Sequence, residues 1–160
     1  MGRLVVRSVL PLLMVSMLGC GGGGGSDPKP SAQPTTAVVK VGVSGALPQG
    51  TLVGSVDAMV LYPTSAGLSV ASADVAPSGA ATTAGTTLLA NPGLPGKVKL
   101  GLTNVSGIAA GEFVTLVFRI AAGNTPGAAD FSISSADSAV NDTLGHLMAN
   151  QVAIVSVSLQ

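Results

Sequence analysis

The sequence predicts an all-β domain, an antiparallel β-sandwich of about eight or nine strands. Period-two alternation of apolar and polar residues recurs from residue 37 to the end of the chain. Stretches rich in Gly and Pro punctuate it: LPQG, APSG, NPGLPG, SGIAAG and GNTPG. Only 9% of the residues are charged, too few for the polar faces of long amphipathic helices.

The first twenty residues, MGRLVVRSVLPLLMVSMLGC, read as an address. Arg3 and Arg7 make a positive start, and residues 8–18 are an apolar run too short to span a bilayer. Gly19 then precedes Cys20, the single cysteine of the chain. This resembles the bacterial lipobox, with Met17 where Leu is usual and Leu18 where a small residue is usual. The resemblance implies cleavage before Cys20 and diacylation of its thiol, and two acyl chains give stable anchoring. Gly21 is not Asp, which in an enteric-type sorting scheme favours the outer membrane or cell surface.

Residues 21–36, GGGGGSDPKPSAQPTT, are a linker: the Gly run is floppy, the Pro-rich part stiffer, and neither builds a core. A phosphate-binding loop is excluded, because no strand precedes the Gly run and no Lys-Ser or Lys-Thr follows it.

The domain is expected over 37–160. In 37–43 the alternation turns Val39, Val41 and Val43 inward, with Lys40 and Gly42 opposite. In 54–62 it turns Val56, Ala58, Val60 and Tyr62 inward and Ser55, Asp57 and Met59 outward. In 97–103, Val98, Leu100 and Leu102 oppose Lys97, Lys99 and Thr103. In 112–120, Val114, Leu116, Phe118 and Ile120 face in and Phe113, Thr115, Val117 and Arg119 face out. In 151–159, Val155, Val157 and Leu159 alternate with Ser156 and Ser158. Shorter strands are expected near 67–73, 85–90 and 129–134. No segment reads as a helix, so the alternating faces must meet as two layers.

Several function classes are disfavoured. Beyond residue 20 there are seven acids against five bases, so no basic patch for nucleic acid can form. One Cys and one His cannot make a zinc site. His146 reads as a turn histidine, since nothing in the sequence singles out a Ser and an orienting Asp for it. Glu112 and Asp57 lack the aromatic cleft of a glycosidase pair. Asp130, Asp137, Asn141 and Asp142 offer oxygen ligands without calcium-loop spacing, and read as turn residues. No cofactor is expected, and the chain reads as a non-enzyme.

Residues 37–160 resemble the cohesin family, jelly-roll modules that receive dockerins, and the motifs that carry the resemblance lie from residue 53 onward. VGSVDAMVLYPTSAGLSVAS (53–72) is similar to the family strand ending in Tyr-Asp-Pro, although here Tyr62 and Pro63 abut. NPGLPGKVKLGLTNVSGIAAG (91–111) is similar to the Gly-Lys-Ile-x-Phe strand and its loop. GEFVTLVFRI (111–120) is similar to Gly-x-Phe-Ala-Thr-Leu-x-Phe-Lys-Val. The resemblance implies a jelly-roll sandwich with a partner-binding outer face. Ser55 and Asp57 would fall on it, with Met59 beside them and Lys97 and Lys99 on the same sheet. The implied partner is a secreted protein carrying a dockerin-like module in another chain.

Two alternatives stay open: a carbohydrate-binding module linked to polysaccharide degradation, and a structural envelope lipoprotein. With no Trp, one Tyr and three Phe, a planar sugar-stacking strip is hard to build.

Overall fold

The computed structural model describes residues 32–149 and 151–160. The signal segment, Cys20 and most of the linker lie outside the described residues. Ten strands pack as two antiparallel sheets, linked by loops and one-turn 3-10 segments.

The first sheet contains β1 (Thr36–Ser44), β3 (Leu68–Ser69), β4 (Val75–Pro77), β7 (Gly111–Ile120) and β10 (Gln151–Leu159). Its order is β10-β1-β7, and β3 and β4 pair with separate stretches of β7. The second sheet contains β2 (Val53–Leu61), β5 (Thr87–Leu94), β6 (Lys97–Ile108), β8 (Ser132–Ile133) and β9 (Ala139–Asp142). Its order is β5-β6-β2, with β8 and β9 along the far side of β2.

The core follows the alternation. Val39 and Val41 of β1, Val56 and Val60 of β2, Val98 and Leu100 of β6, and Leu116 and Phe118 of β7 are all buried. Phe118 is the hub of the aromatic packing. Its ring centroid lies 5.0 Å from that of Tyr62, edge to face, and 5.0 Å from that of Phe131. Such pairs add to the hydrophobic gain from burial. Tyr62 is only half-buried, since it stands just beyond the end of β2.

Three inward–outward assignments fail, two of them at a β-bulge. Phe113, expected outward, is fully buried. Opposite it, Val41 pairs with Val114 and Gly42 with Glu112, so Phe113 is the extra residue of β7. A bulge turns two consecutive side chains toward one face, and here Phe113 joins Val114 in the core. The second bulge lies across β1: Val41 pairs with Ile154 and Lys40 with Ser156, so Val155 is the extra residue of β10. Val155, expected inward, is 55% exposed, and Val152, Ile154 and Val157 pack against the core instead. Leu159, also expected inward, ends its strand 40% exposed. Val155 leans over Gly42, where an added Cβ would come within 2.7 Å of Val155 Cγ2 and of the Gly111 carbonyl oxygen.

Asn104 is the one buried polar side chain among the described residues. Its amide donates to Thr86 Oγ1 at 2.8 Å and to the Ala84 carbonyl at 3.3 Å, and its oxygen accepts from Ser106 N–H at 2.9 Å. Burial without loss of hydrogen bonds explains how a polar residue sits inside an apolar strand phase.

On the outer face of the first sheet, Lys40 Nζ bonds Glu112 Oε2 at 3.0 Å, and Thr115 Oγ1 bonds Ser78 Oγ at 3.0 Å. The Ser78 hydroxyl, then Lys40, hold the Glu112 carboxyl below its ordinary value of 4.5. A lowered folded-state pKa means that this contribution is complete above 4.5 and is lost as pH falls through the lower folded value. Thermal melts across the acid range should therefore show declining stability below about pH 4.5. Glu112→Gln should flatten part of that decline, and an identical acid profile in the variant would count against the contact.

Candidate functional site

The outer face of the second sheet collects all five residues singled out in the sequence. Antiparallel pairing puts them in rows across four strands. In one row Leu89 of β5, Gly101 of β6, Asp57 of β2 and Ala139 of β9 stand side by side. The next holds Asn91, Lys99 and Met59. On the other flank lie Thr87, Thr103, Ser55 and Asn141. Lys97 pairs with Leu61 at the end of the face.

The charges on this face are uncommitted. Asp57, Lys97 and Lys99 are exposed, and none forms an ion pair among the described residues. Each keeps its hydrogen-bonding capacity for something outside the domain. Ser55 is half-buried and accepts a 3.1 Å bond from Asn141 Nδ2, so β9 orients it. Met59 is half-buried, and its backbone is clamped from the edge. Its N–H donates to Ser138 Oγ at 3.3 Å, and its carbonyl accepts from Ser134 N–H at 2.9 Å. The strand carrying Asp57 is thus held from both sides.

Sequence reasoning missed Leu89 and Gly101. Leu89 is 70% exposed in mid-strand, while its neighbour Leu88 packs against the core. Two adjacent leucines give no sign of which faces out. Gly101 has no side chain where a Cβ would meet only Asp57 Oδ1, 4.0 Å away. Its absence leaves an open depression of about 280 Å³, with Leu89 and Asn91 on one side and Asp57 and Lys99 on the other. The face therefore offers an apolar knob, a hollow, a free carboxylate and two free ammonium groups within a rigid sheet.

The candidate catalytic groups weighed in the sequence are not brought together among the described residues. Asp57 and Glu112 stand on the outer faces of opposite sheets, with the core between them. His146 Nδ1 lies 3.0 Å from Asp142 Oδ2 in an exposed loop. Asp142 Oδ1 accepts the N–H groups of Leu144 and His146, both at 2.8 Å. The His146 backbone bond, more than its ring, lowers the Asp142 pKa. This carboxylate shapes a turn. Asp130 accepts from Gly127 N–H and Asp137 from Ser134 Oγ, so they too serve their own loops. Among the described residues no group of three His, Cys, Asp or Glu could hold a metal ion. All three Phe rings are buried, and the one Tyr ring packs on Phe118, so the outer face presents no aromatic platform.

No family model matches the sequence, and no curated protein matches it. Solved structures do. A non-cellulosomal cohesin from the hyperthermophilic archaeon Archaeoglobus fulgidus superposes with a TM-score of 0.54 at 20% identity, covering 78% of this chain and 83% of that one. A chain of a crystallised dockerin–cohesin complex superposes with a TM-score of 0.56 at 22% identity, covering 78% and 93%. The domain is cohesin-like in fold, a jelly-roll sandwich.

Proposed function

We propose that this cohesin-like domain is a protein-docking module whose β5-β6-β2-β9 face receives a dockerin-like module of another, secreted chain. The observation that carries the reading is the face itself: Asp57 and Lys99, both exposed and unpaired, border the hollow over Gly101 beside the exposed Leu89, and Lys97, also exposed and unpaired, stands at the end of the same face. An apolar anchor inside a polar rim is the usual make-up of a protein interface. The fold shared with a chain of a dockerin–cohesin complex supports it. The absence of an exposed aromatic surface disfavours polysaccharide as the ligand. Nothing on the face suits bond-breaking chemistry, which fits a binding module rather than an enzyme.

The test pairs folding with binding. A secreted protein is captured from culture medium on the immobilised chain, then titrated against wild type and Asp57→Ala. Asp57 is exposed, so Asp57→Ala should leave stability within about 0.5 kcal/mol. Losing a charge-assisted bond should weaken the complex by about 1.5–3 kcal/mol, roughly a 10- to 100-fold rise in Kd. Unchanged affinity for both Asp57→Ala and Leu89→Ala would move the docking surface elsewhere.

We further propose that Cys20 carries the lipid that displays this module at the cell envelope, with residues 21–36 as the spacer. Cys20→Ser should shift the protein from membrane to soluble fractions and abolish incorporation of labelled palmitate. Retention of either property in the variant would remove the anchor from the reading.

A further inference from the structure

We propose, on the docking reading of the β5-β6-β2-β9 face, that the docking surface continues around one end of the sandwich and that an apolar side of the same secreted partner covers that end. It is the end where β1 finishes at Ser44 and β2 begins at Val53. Three segments meet there: residues 45–52, 104–107 and 143–149. Val53 anchors the last two, because it pairs with Ile108 on one side and with Asp142 on the other. A Cβ added to Gly107 would come within 2.5 Å of Leu52 Cβ and 2.7 Å of Thr143 Cγ2, so the three segments are in close contact.

This end presents apolar side chains on a fixed frame. Between Thr103, opposite Ser55, and Ile108, opposite Val53, β6 carries residues 104–107 as a long bulge. Val105 stands on it, 91% exposed. The buried Asn104 amide ties the bulge to Thr86 and Ala84, and its oxygen accepts from Ser106 N–H. A Val side chain is also stiff at its one torsion, so little freedom is left to lose on contact. Leu144 and Leu147 are 79% and 75% exposed, and Leu52 is exposed beside them. Half of the exposed large apolar side chains among the described residues thus gather at this end. Singly scattered ones are ordinary, whereas a cluster marks an interaction site.

Continuity with the docking face identifies what covers it. A hollow of about 250 Å³ joins the two, lined by Ser55 and Thr103 of the face and by Val105, Thr143 and Gly145 of the end. A partner seated over Gly101 is one residue pair, Thr103–Ser55, away from the bulge. Residues 45–52 and 104–107 carry no charge, and 143–149 carry only His146. With no Lys or Arg, the end has nothing to attract an anionic membrane surface. The linker joins the domain far from it: Thr36 and Gln160 exchange backbone bonds at the opposite end of β1, about 30 Å away. An apolar patch on the docked partner fits this end, and it complements the charged face. The charges set register, and the apolar end supplies buried area.

The experiment titrates the secreted protein captured from culture medium against the full chain in mild detergent and against its variants. Val105→Asp and Leu144→Asp each place a charge on an exposed side chain. Each should leave the melting temperature unchanged and weaken the complex at least about tenfold. Val155→Asp, on the opposite sheet, should bind as wild type. In the complex, amide hydrogen exchange should slow over residues 104–107 and 143–147. Capture alone supports nothing; the ranking of the variants does. If Asp57→Ala weakens the complex while both end variants bind as wild type, the extension is overturned and the docking face stands. If the end variants weaken it while Asp57→Ala and Leu89→Ala do not, the end binds on its own, and the face and its extension both fall. A medium that yields no captured protein overturns both. Sedimentation velocity on the chain alone tests the other occupant: self-association abolished by Val105→Asp puts a second copy on this end and overturns the proposal.

Discussion

Phe118→Ala should lower the free energy of unfolding by about 3–5 kcal/mol. The ring is fully buried and touches both other members of its cluster, Tyr62 and Phe131. Phe118 belongs to one sheet, whereas Tyr62 and Phe131 flank strands of the other. Removing it therefore empties a space that both layers share, and neither sheet can close the gap alone. A domain of this size has about 5–15 kcal/mol to lose, so the variant should unfold at much lower denaturant concentration with an unchanged slope. A shift below about 1 kcal/mol would mean that the sheets repack around the void.

Phe113→Ala should cost a similar amount, about 3–5 kcal/mol, for a different reason. Phe113 is inside only because β7 carries an extra residue opposite β1. Val155, the extra residue of β10, should tolerate Ala within about 0.5 kcal/mol, because it points to solvent. The pair of variants separates bulged from regular pairing. Regular alternation would make Phe113 the tolerant site and Val155 the costly one, so reversed costs would remove both bulges. Equilibrium denaturation of the two variants side by side decides it.

The same two residues show where the sequence stops being informative. Alternation places the core-facing valines and leucines of β1, β2 and β6 because each of those stretches keeps one phase across its inward residues. It also turns Asp57, Lys97 and Lys99 out together, since strands that share a core share an outside. A bulge is a property of two strands, and its position depends on what lies opposite. Nothing within EFVTLVFRI marks Phe113 as supernumerary until β1 is laid beside it. Strand β5 is obscured for a related reason. Its last residues, Asn91 to Leu94, read as a turn but continue along β6 after a register shift. The short strands β3, β4, β8 and β9 have too few residues to carry a period, and exist because β7 and β2 offer them an edge.

The outer face was partly legible. Its charged residues follow from phase, and Gly101 was visible as a glycine in a strand. That the glycine opens a hollow beside Leu89 depends on the register of three strands, which no single segment encodes.

The contact between Tyr62 and Phe118 makes the domain optically simple. With no Trp in the chain, Tyr62 is the dominant ultraviolet chromophore above the phenylalanine bands and the natural source of intrinsic fluorescence. Its ring rests edge-on against Phe118 at the seam between the two sheets. Any separation of the layers changes the surroundings of that one phenol, so its emission and near-ultraviolet dichroism report on the closure of the sandwich. Docking on the outer face leaves the seam in place. A partner that contributes its own tryptophan can therefore be followed in a separate spectral window, with folding and binding read in the same cuvette and without an attached dye.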